Sequence, residues 1–144
     1  FDRKLLAEVS RNGRLPVTEL ARRIGLSKSP TQARLRRLEA QGYILGYRAL
    51  LDPARLELEH VAFVEVRLTD TREPALSAFN AAVRDVPEIE QCHLIAGQFD
   101  YLMKIRCRDM RAYRDILAEV VSNLPHVAST STHVSMQAVK DAVL

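Results

Sequence analysis

Only two cysteines, Cys92 and Cys107, occur in the 144 residues. They form no CxxC pair and both sit inside apolar runs, so neither a disulfide framework nor a zinc site is expected; packed thiols of a reducing cytoplasm fit better. His60, His93, His126 and His133 are scattered without HxxxH spacing, so no metal is expected and all four read as surface or interface residues. No run approaches the roughly 18–20 apolar residues of a membrane helix, and no secretory leader pattern is visible. The chain is therefore expected in the cytoplasm with no membrane partner. There is no nucleophile elbow, no phosphate-binding glycine loop and no carboxylate pairing that spacing justifies, so no catalytic residue and no cofactor is expected. No internal repeat or low-complexity tract occurs. The chain opens on Phe1 rather than Met, so residues upstream of it are expected.

What is present is a globular composition, 47% hydrophobic and 27% charged, in a length that suits one ordinary domain or two small ones. The charge is uneven. Residues 1–60 carry 12 Lys and Arg against 7 Asp and Glu, a net of +5; residues 61–144 carry 9 against 11, a net of −2. A basic half joined to a slightly acidic half is the pattern of a nucleic-acid module with a partner module.

The stretch Leu20 to Ile44 gives the basic half its organisation. Leu20, Ala21 and Ile24 make a short apolar face that ends at Gly25. After the turn Gly25-Leu26-Ser27, Thr31, Leu35 and Leu38 recur at i, i+4 and i+7 until Gly42. Two short helices meeting at a glycine-containing turn predict a helix-turn-helix. Its second helix exposes Lys28, Ser29, Gln32, Ala33 and Arg36, with Arg34 and Arg37 on the flanks. Such side chains can reach phosphates and base edges in the major groove of double-stranded DNA. Ser27 suits the N-cap, leaving free N–H groups where a phosphate could dock. Upstream, Asp2 is expected to cap a first helix bearing Leu5, Leu6 and Val9, ended by Asn12-Gly13. Leu5, Leu6, Val9, Leu15, Leu20, Ile24, Leu26, Leu35 and Leu38 are the expected core.

Tyr43 to Leu51 reads as a strand, Asp52-Pro53 as a turn, and Arg55 to His60 as a stiff hinge. Alternation then predicts a strand over Val61 to Leu68, with Ala62, Val64, Val66 and Leu68 on one face and Val61, Phe63, Glu65 and Arg67 on the other. Glu73-Pro74 opens a helix with Leu76, Phe79, Val83 and Val86. Strands Ile89 to Ala96 and Tyr101 to Arg108 flank a hairpin turn at Gly97-Gln98-Phe99-Asp100, where Gly97 is expected to supply a positive φ. Asp109 caps a second helix, and Val127 to Met136 is the last strand. The order β-α-β-β-α-β predicts an α+β chain: a winged helix-turn-helix domain over residues 1–50, a linker over 51–60, and a ferredoxin-like domain over 61–144.

Three stretches carry a resemblance over essentially the whole chain: residues 1–53, "CHLIAGQFDYLMKIRCRD" with its Gly-x-x-Asp-Tyr at Gly97, Asp100 and Tyr101, and "LPHVASTSTHVSMQAVK". Together they resemble the Lrp/AsnC, or feast/famine, family of transcriptional regulators. Pro30 and Thr31 depart from the family's usual residues, though proline fits the first turn of a helix. The resemblance implies a sequence-specific DNA-binding regulator modulated by a small effector, an amino acid. It further implies homodimers built through the second domain and assembled into octamers, with the hairpin at the contact between dimers shaping the effector pocket. Gly97, Gln98, Phe99, Asp100 and Tyr101 are thus the effector candidates, joined by Thr130 and Thr132. Bare backbone at Gly97 admits a small amino acid, Asp100 offers an anion to its ammonium group, and Phe99 and Tyr101 offer apolar walls. Such walls suit leucine, proline or a similar residue, and proline is the effector carried forward. Two alternatives stand beside this reading: a sirohaem decarboxylase-like enzyme of the same fold, and an effector-binding module without DNA binding. Lys28, Arg34, Arg36 and Arg37 argue against both.

Overall fold

A computed structural model describes residues 1–141, which divide into two compact units at Leu51/Asp52. The first unit holds three helices: α1 (Asp2–Arg11), α2 (Val17–Ile24) and α3 (Lys28–Ala40). Leu5, Leu20, Ile24 and Leu38 are buried at its centre, with Leu6, Val9, Leu15, Leu26, Leu35 and Ile44 packed around them. Every residue expected in this core is there. Gly25 ends α2 in the left-handed region at φ 80°, where a side chain would be strained, and its N–H bonds to the Ala21 carbonyl at 3.0 Å. That sharp stop turns the chain into α3.

Three local expectations are corrected. Asp2 does not cap α1: it is the first helical residue, Phe1 holds the cap position, and the Asp2 carboxylate reaches α3 instead. Ser27 occupies the N-cap of α3 but its side chain makes no capping bond; its carbonyl accepts from Thr31 Oγ1 at 2.9 Å. Residues 43–51 form no strand. Tyr43 and Ile44 fold back through N–H bonds to the Leu38 carbonyl, and the chain beyond them has no regular secondary structure, with Leu45, Leu50 and Leu51 exposed. An extended segment becomes a strand only when another pairs with it, and no such partner exists among the described residues of this unit.

The second unit begins with a turn at Asp52-Pro53, where Asp52 Oδ1 accepts from the Ala54 N–H at 3.0 Å. It continues as β1 (His60–Leu68), α4 (Glu73–Arg84), β2 (Ile89–Leu94), β3 (Tyr101–Cys107), α5 (Met110–Glu119), a single 3-10 turn (Val121–Asn123) and β4 (Val127–Ser135). The strands form one antiparallel sheet in the order β2-β3-β1-β4, the ferredoxin-like arrangement. Asp109 caps α5 as expected, accepting from the Ala112 N–H at 2.8 Å. Both helices pack on one face. Ala62, Val64 and Val66 of β1 face Ile105, Met103 and Tyr101 of β3 across the ladder, and Phe79, Val83, Tyr113 and Val121 close over them. Among the described residues, no helix lies over the other face. That face carries Val61, Phe63, Glu65 and Arg67 of β1, and Leu102, Lys104 and Arg106 of β3, with Phe63 left 37% exposed.

Candidate nucleic-acid interface and effector recess

On α3, Thr31, Arg34, Leu35 and Leu38 share the face turned toward the bundle; Thr31 and Leu38 are buried. Ser29, Ala33 and Arg36 lie opposite and are exposed, with Lys28 and Gln32 along one flank and Arg37 along the other. Lys28 and Arg36 form no ion pair among the described residues. Arg34 differs from the expectation. It lies on the inward side, its Nη1 is 3.1 Å from Asp2 Oδ1, and its guanidinium carbon sits 5.3 Å from the centre of the Phe1 ring. Arg37 Nη2 reaches the second oxygen of the same carboxylate at 3.4 Å. The Arg34 guanidinium, assisted by Arg37, holds the Asp2 carboxyl below its ordinary range. Within α2, Glu19 accepts from two arginines of its own helix. Hydrogen bonds from Arg22 and then Arg23 lower its carboxyl to about 2, and Arg23 also reaches Glu8 at 3.0 Å.

The loop between β2 and β3 is stitched to the end of β1. The Ile95 N–H bonds to the Asp100 carbonyl and the Asp100 N–H to the Val66 carbonyl, each at 2.9 Å. The Asp100 carboxylate accepts the Leu68 N–H at 2.7 Å. One of its oxygens is therefore already engaged by backbone. Gly97 corrects another expectation: it does not adopt positive φ, and an added Cβ would meet only Ile95 Cγ2 at 3.4 Å. The fold of this chain does not itself demand glycine there.

A recess of about 220 Å³ opens on the helix-free face. Gln98 and Phe99 of the loop, Glu65 and Arg67 of β1, and residues 129–131 of β4 line it. Glu65 Oε2 lies 2.6 Å from His133 Nε2, whereas Arg67 has no ion partner among the described residues. Gln98 and Phe99 are thus brought together; Thr130 borders the recess, but it pairs with Val66 and so belongs to the helix-covered face, and Tyr101 and Thr132 do not border it. Tyr101 pairs with Val66 and Thr132 with Val64, so both lie on the helix-covered face. There the Tyr101 hydroxyl donates to Asn80 Oδ1 at 2.6 Å, and Thr132 shares a hydrogen bond with the Tyr113 hydroxyl. Burial pushes both phenols up, and it pushes the Cys92 thiol on the same side up to about 11. Glu65, Arg67, Ser129 and Ser131 were absent from the sequence-derived set. The alternation of β1 had already put Glu65 and Arg67 opposite the core, and that was the signal available.

Residues 1–44 match the family model described as winged helix-turn-helix DNA-binding, and residues 61–143 match the Lrp/AsnC ligand binding domain. The chain is 59% identical to a proline dehydrogenase transcriptional activator of Rhodobacter capsulatus, across 96% of this chain and 90% of that one. It is 46% identical to the leucine-responsive regulatory protein of Salmonella typhimurium, across 99% of this chain and 87% of that one. Among solved structures, a Neisseria meningitidis transcriptional regulator in complex with L-methionine superposes with a TM-score of 0.92 at 32% identity, covering 97% of this chain and 90% of that one. These relatives are regulators rather than enzymes, which sets the decarboxylase-like alternative aside, and the matched helix-turn-helix does the same for a module without DNA binding. The chain belongs to the Lrp/AsnC family of DNA-binding transcriptional regulators.

Proposed function

We propose that this regulator reads DNA with Lys28, Ser29, Gln32, Ala33 and Arg36, and takes a small neutral amino acid, proline first, into the recess beside Gln98 and Phe99. The observation that carries the effector assignment is the pairing of opposite charges in one small space. Arg67 offers an unengaged guanidinium for a carboxylate, Glu65 offers a carboxylate for an ammonium group, and Phe99 gives an apolar wall. A zwitterion needs both charges met at once. The volume, about 220 Å³, is below the roughly 300–1,000 Å³ typical of drug-sized ligands, which suits one amino acid and little more. The bare backbone of Gly97 leaves room for an approach from outside this chain, in keeping with a pocket completed by a second copy.

Proline is preferred because the relative that is 59% identical is named for activating proline dehydrogenase. The target proposed for this chain is accordingly a gene of proline breakdown, activated in the cytoplasm when proline is abundant. On the DNA side, the free N–H groups of the first turn of α3, with Ser27 making no side-chain cap, suit a backbone phosphate. A three-helix unit reads one half-site, so the reading includes a homodimer, built over the helix-free sheet face and assembling to an octamer. The test is calorimetry of the wild type and Arg67→Ala with proline, leucine and methionine. Proline binding that is lost in Arg67→Ala supports the recess; binding of equal strength in both variants rejects it.

A further inference from the structure

Asp2 sits on α1, yet its two carboxylate oxygens face Arg34 and Arg37, which are one turn apart on α3. The two arginines are held unequally. Arg34 is on the inward face, lies against the Phe1 ring and keeps the shorter contact, 3.1 Å. Arg37 is on the outer flank, its side chain 52% exposed, with a single contact of 3.4 Å. An exposed pair of that kind is weak enough for another anion to displace. A DNA phosphate is the same kind of ligand for a guanidinium as a carboxylate, and the flank of a groove-reading helix is where the backbone runs.

Resting on the reading of α3 as the groove helix, we infer that Asp2 is a resident competitor for DNA phosphate. Arg34 remains its anchor when DNA binds, and Arg37 exchanges from the carboxylate to a phosphate. Asp2 thereby weakens binding to every sequence alike, because phosphate contacts carry no base information. In a cell filled with non-operator DNA, that lowers background occupancy while leaving base reading to the other residues of α3.

The test is a double-mutant cycle on a short random-sequence duplex, with affinity followed over a range of salt. Asp2→Asn is expected to tighten binding by about two- to five-fold, the range a weak exposed pair allows. Arg37→Gln is expected to weaken binding and lower the salt slope by about 0.9, the share of one phosphate. In the Arg37→Gln background, Asp2→Asn is expected to change nothing. Equal tightening by Asp2→Asn with or without Arg37 overturns the proposal, since it would then be a general charge effect. Should Asp2→Asn fold poorly, an unchanged salt slope in Arg37→Gln alone overturns it. Arg36→Ala run alongside separates the two levels: affinity unchanged in that variant as well as in Arg37→Gln means that α3 is not the reading helix.

Discussion

The Asp100 carboxylate accepts a 2.7 Å hydrogen bond from the backbone N–H of Leu68, thirty-two residues away on β1. The residue whose charge suggests an ammonium ligand is thus a strap. It ties the loop that carries Gln98 and Phe99 to the strand that carries Glu65 and Arg67, and so sets the shape of the recess. Asp100→Asn keeps a carbonyl oxygen for the Leu68 N–H and is expected to retain effector binding. Asp100→Ala leaves that N–H without its partner, at a cost of about 1–3 kcal/mol, and is expected to lose binding. Calorimetry on both variants decides the role: loss of binding in Asp100→Asn with an unchanged melting temperature would make Asp100 a charge partner of the ligand instead.

Arg36 is exposed, points away from the bundle and has no ion partner among the described residues. Arg36→Ala is expected to cost about 1–3 kcal/mol at a specific site and to relax the base preference there. Arg34→Ala is expected to act differently, lowering the stability of the first unit through the lost contact with Asp2. Binding selections and thermal melts of the two variants check the division; a base-preference change in Arg34→Ala alone would reverse it.

Acid should loosen the first unit through Glu19. Its carboxyl is lowered from 4.5 to about 2 by hydrogen bonds from Arg22 and Arg23. A carboxyl with a depressed folded value binds its proton more readily when the chain is unfolded. The stabilisation is therefore complete above the ordinary value and drains away as pH falls through 4.5 toward 2. Asp70, lowered to about 2 by Arg72, repeats this in the second unit. Glu19→Gln is expected to flatten the fall in melting temperature between pH 5 and 2 relative to wild type; parallel curves would contradict the pairing.

Phe63 stands 37% exposed beside buried Val61 on the sheet face that no helix covers. A second copy of the chain is the proposed cover. Light scattering at micromolar concentration is expected to give a multiple of 16.3 kDa. A particle at that mass would reject assembly, and Phe63→Lys is expected to shift the distribution toward it.

Local pattern made the helices, the sheet strands and both cores legible. Leu5, Leu20, Ile24 and Leu38 repeat at helical spacing, and Ala62, Val64 and Val66 alternate, so each element's buried side was readable before any fold was known. What was not legible depends on partners distant in the chain. Asp2 reads as a cap until Arg34 and Arg37 are brought beside it, and Asp100 reads as a free anion until Leu68 is. Tyr101, Thr130 and Thr132 have suitable chemistry, but the strand register sends all three to the helix side. Residues 43–51 have strand composition, yet composition supplies no neighbour to bond with. Gly97 reads as a turn glycine although its φ is not positive.

In the proposed mechanism, one chain couples DNA binding to an amino acid held at the recess. The measurement that tests it most directly is recovery of genomic DNA fragments by the purified protein with and without proline, repeated with Arg67→Ala. The expected result is a defined set of fragments whose recovery changes with proline in the wild type and does not change in Arg67→Ala. Recovery that is indifferent to proline, or that responds equally in Arg67→Ala, would contradict it.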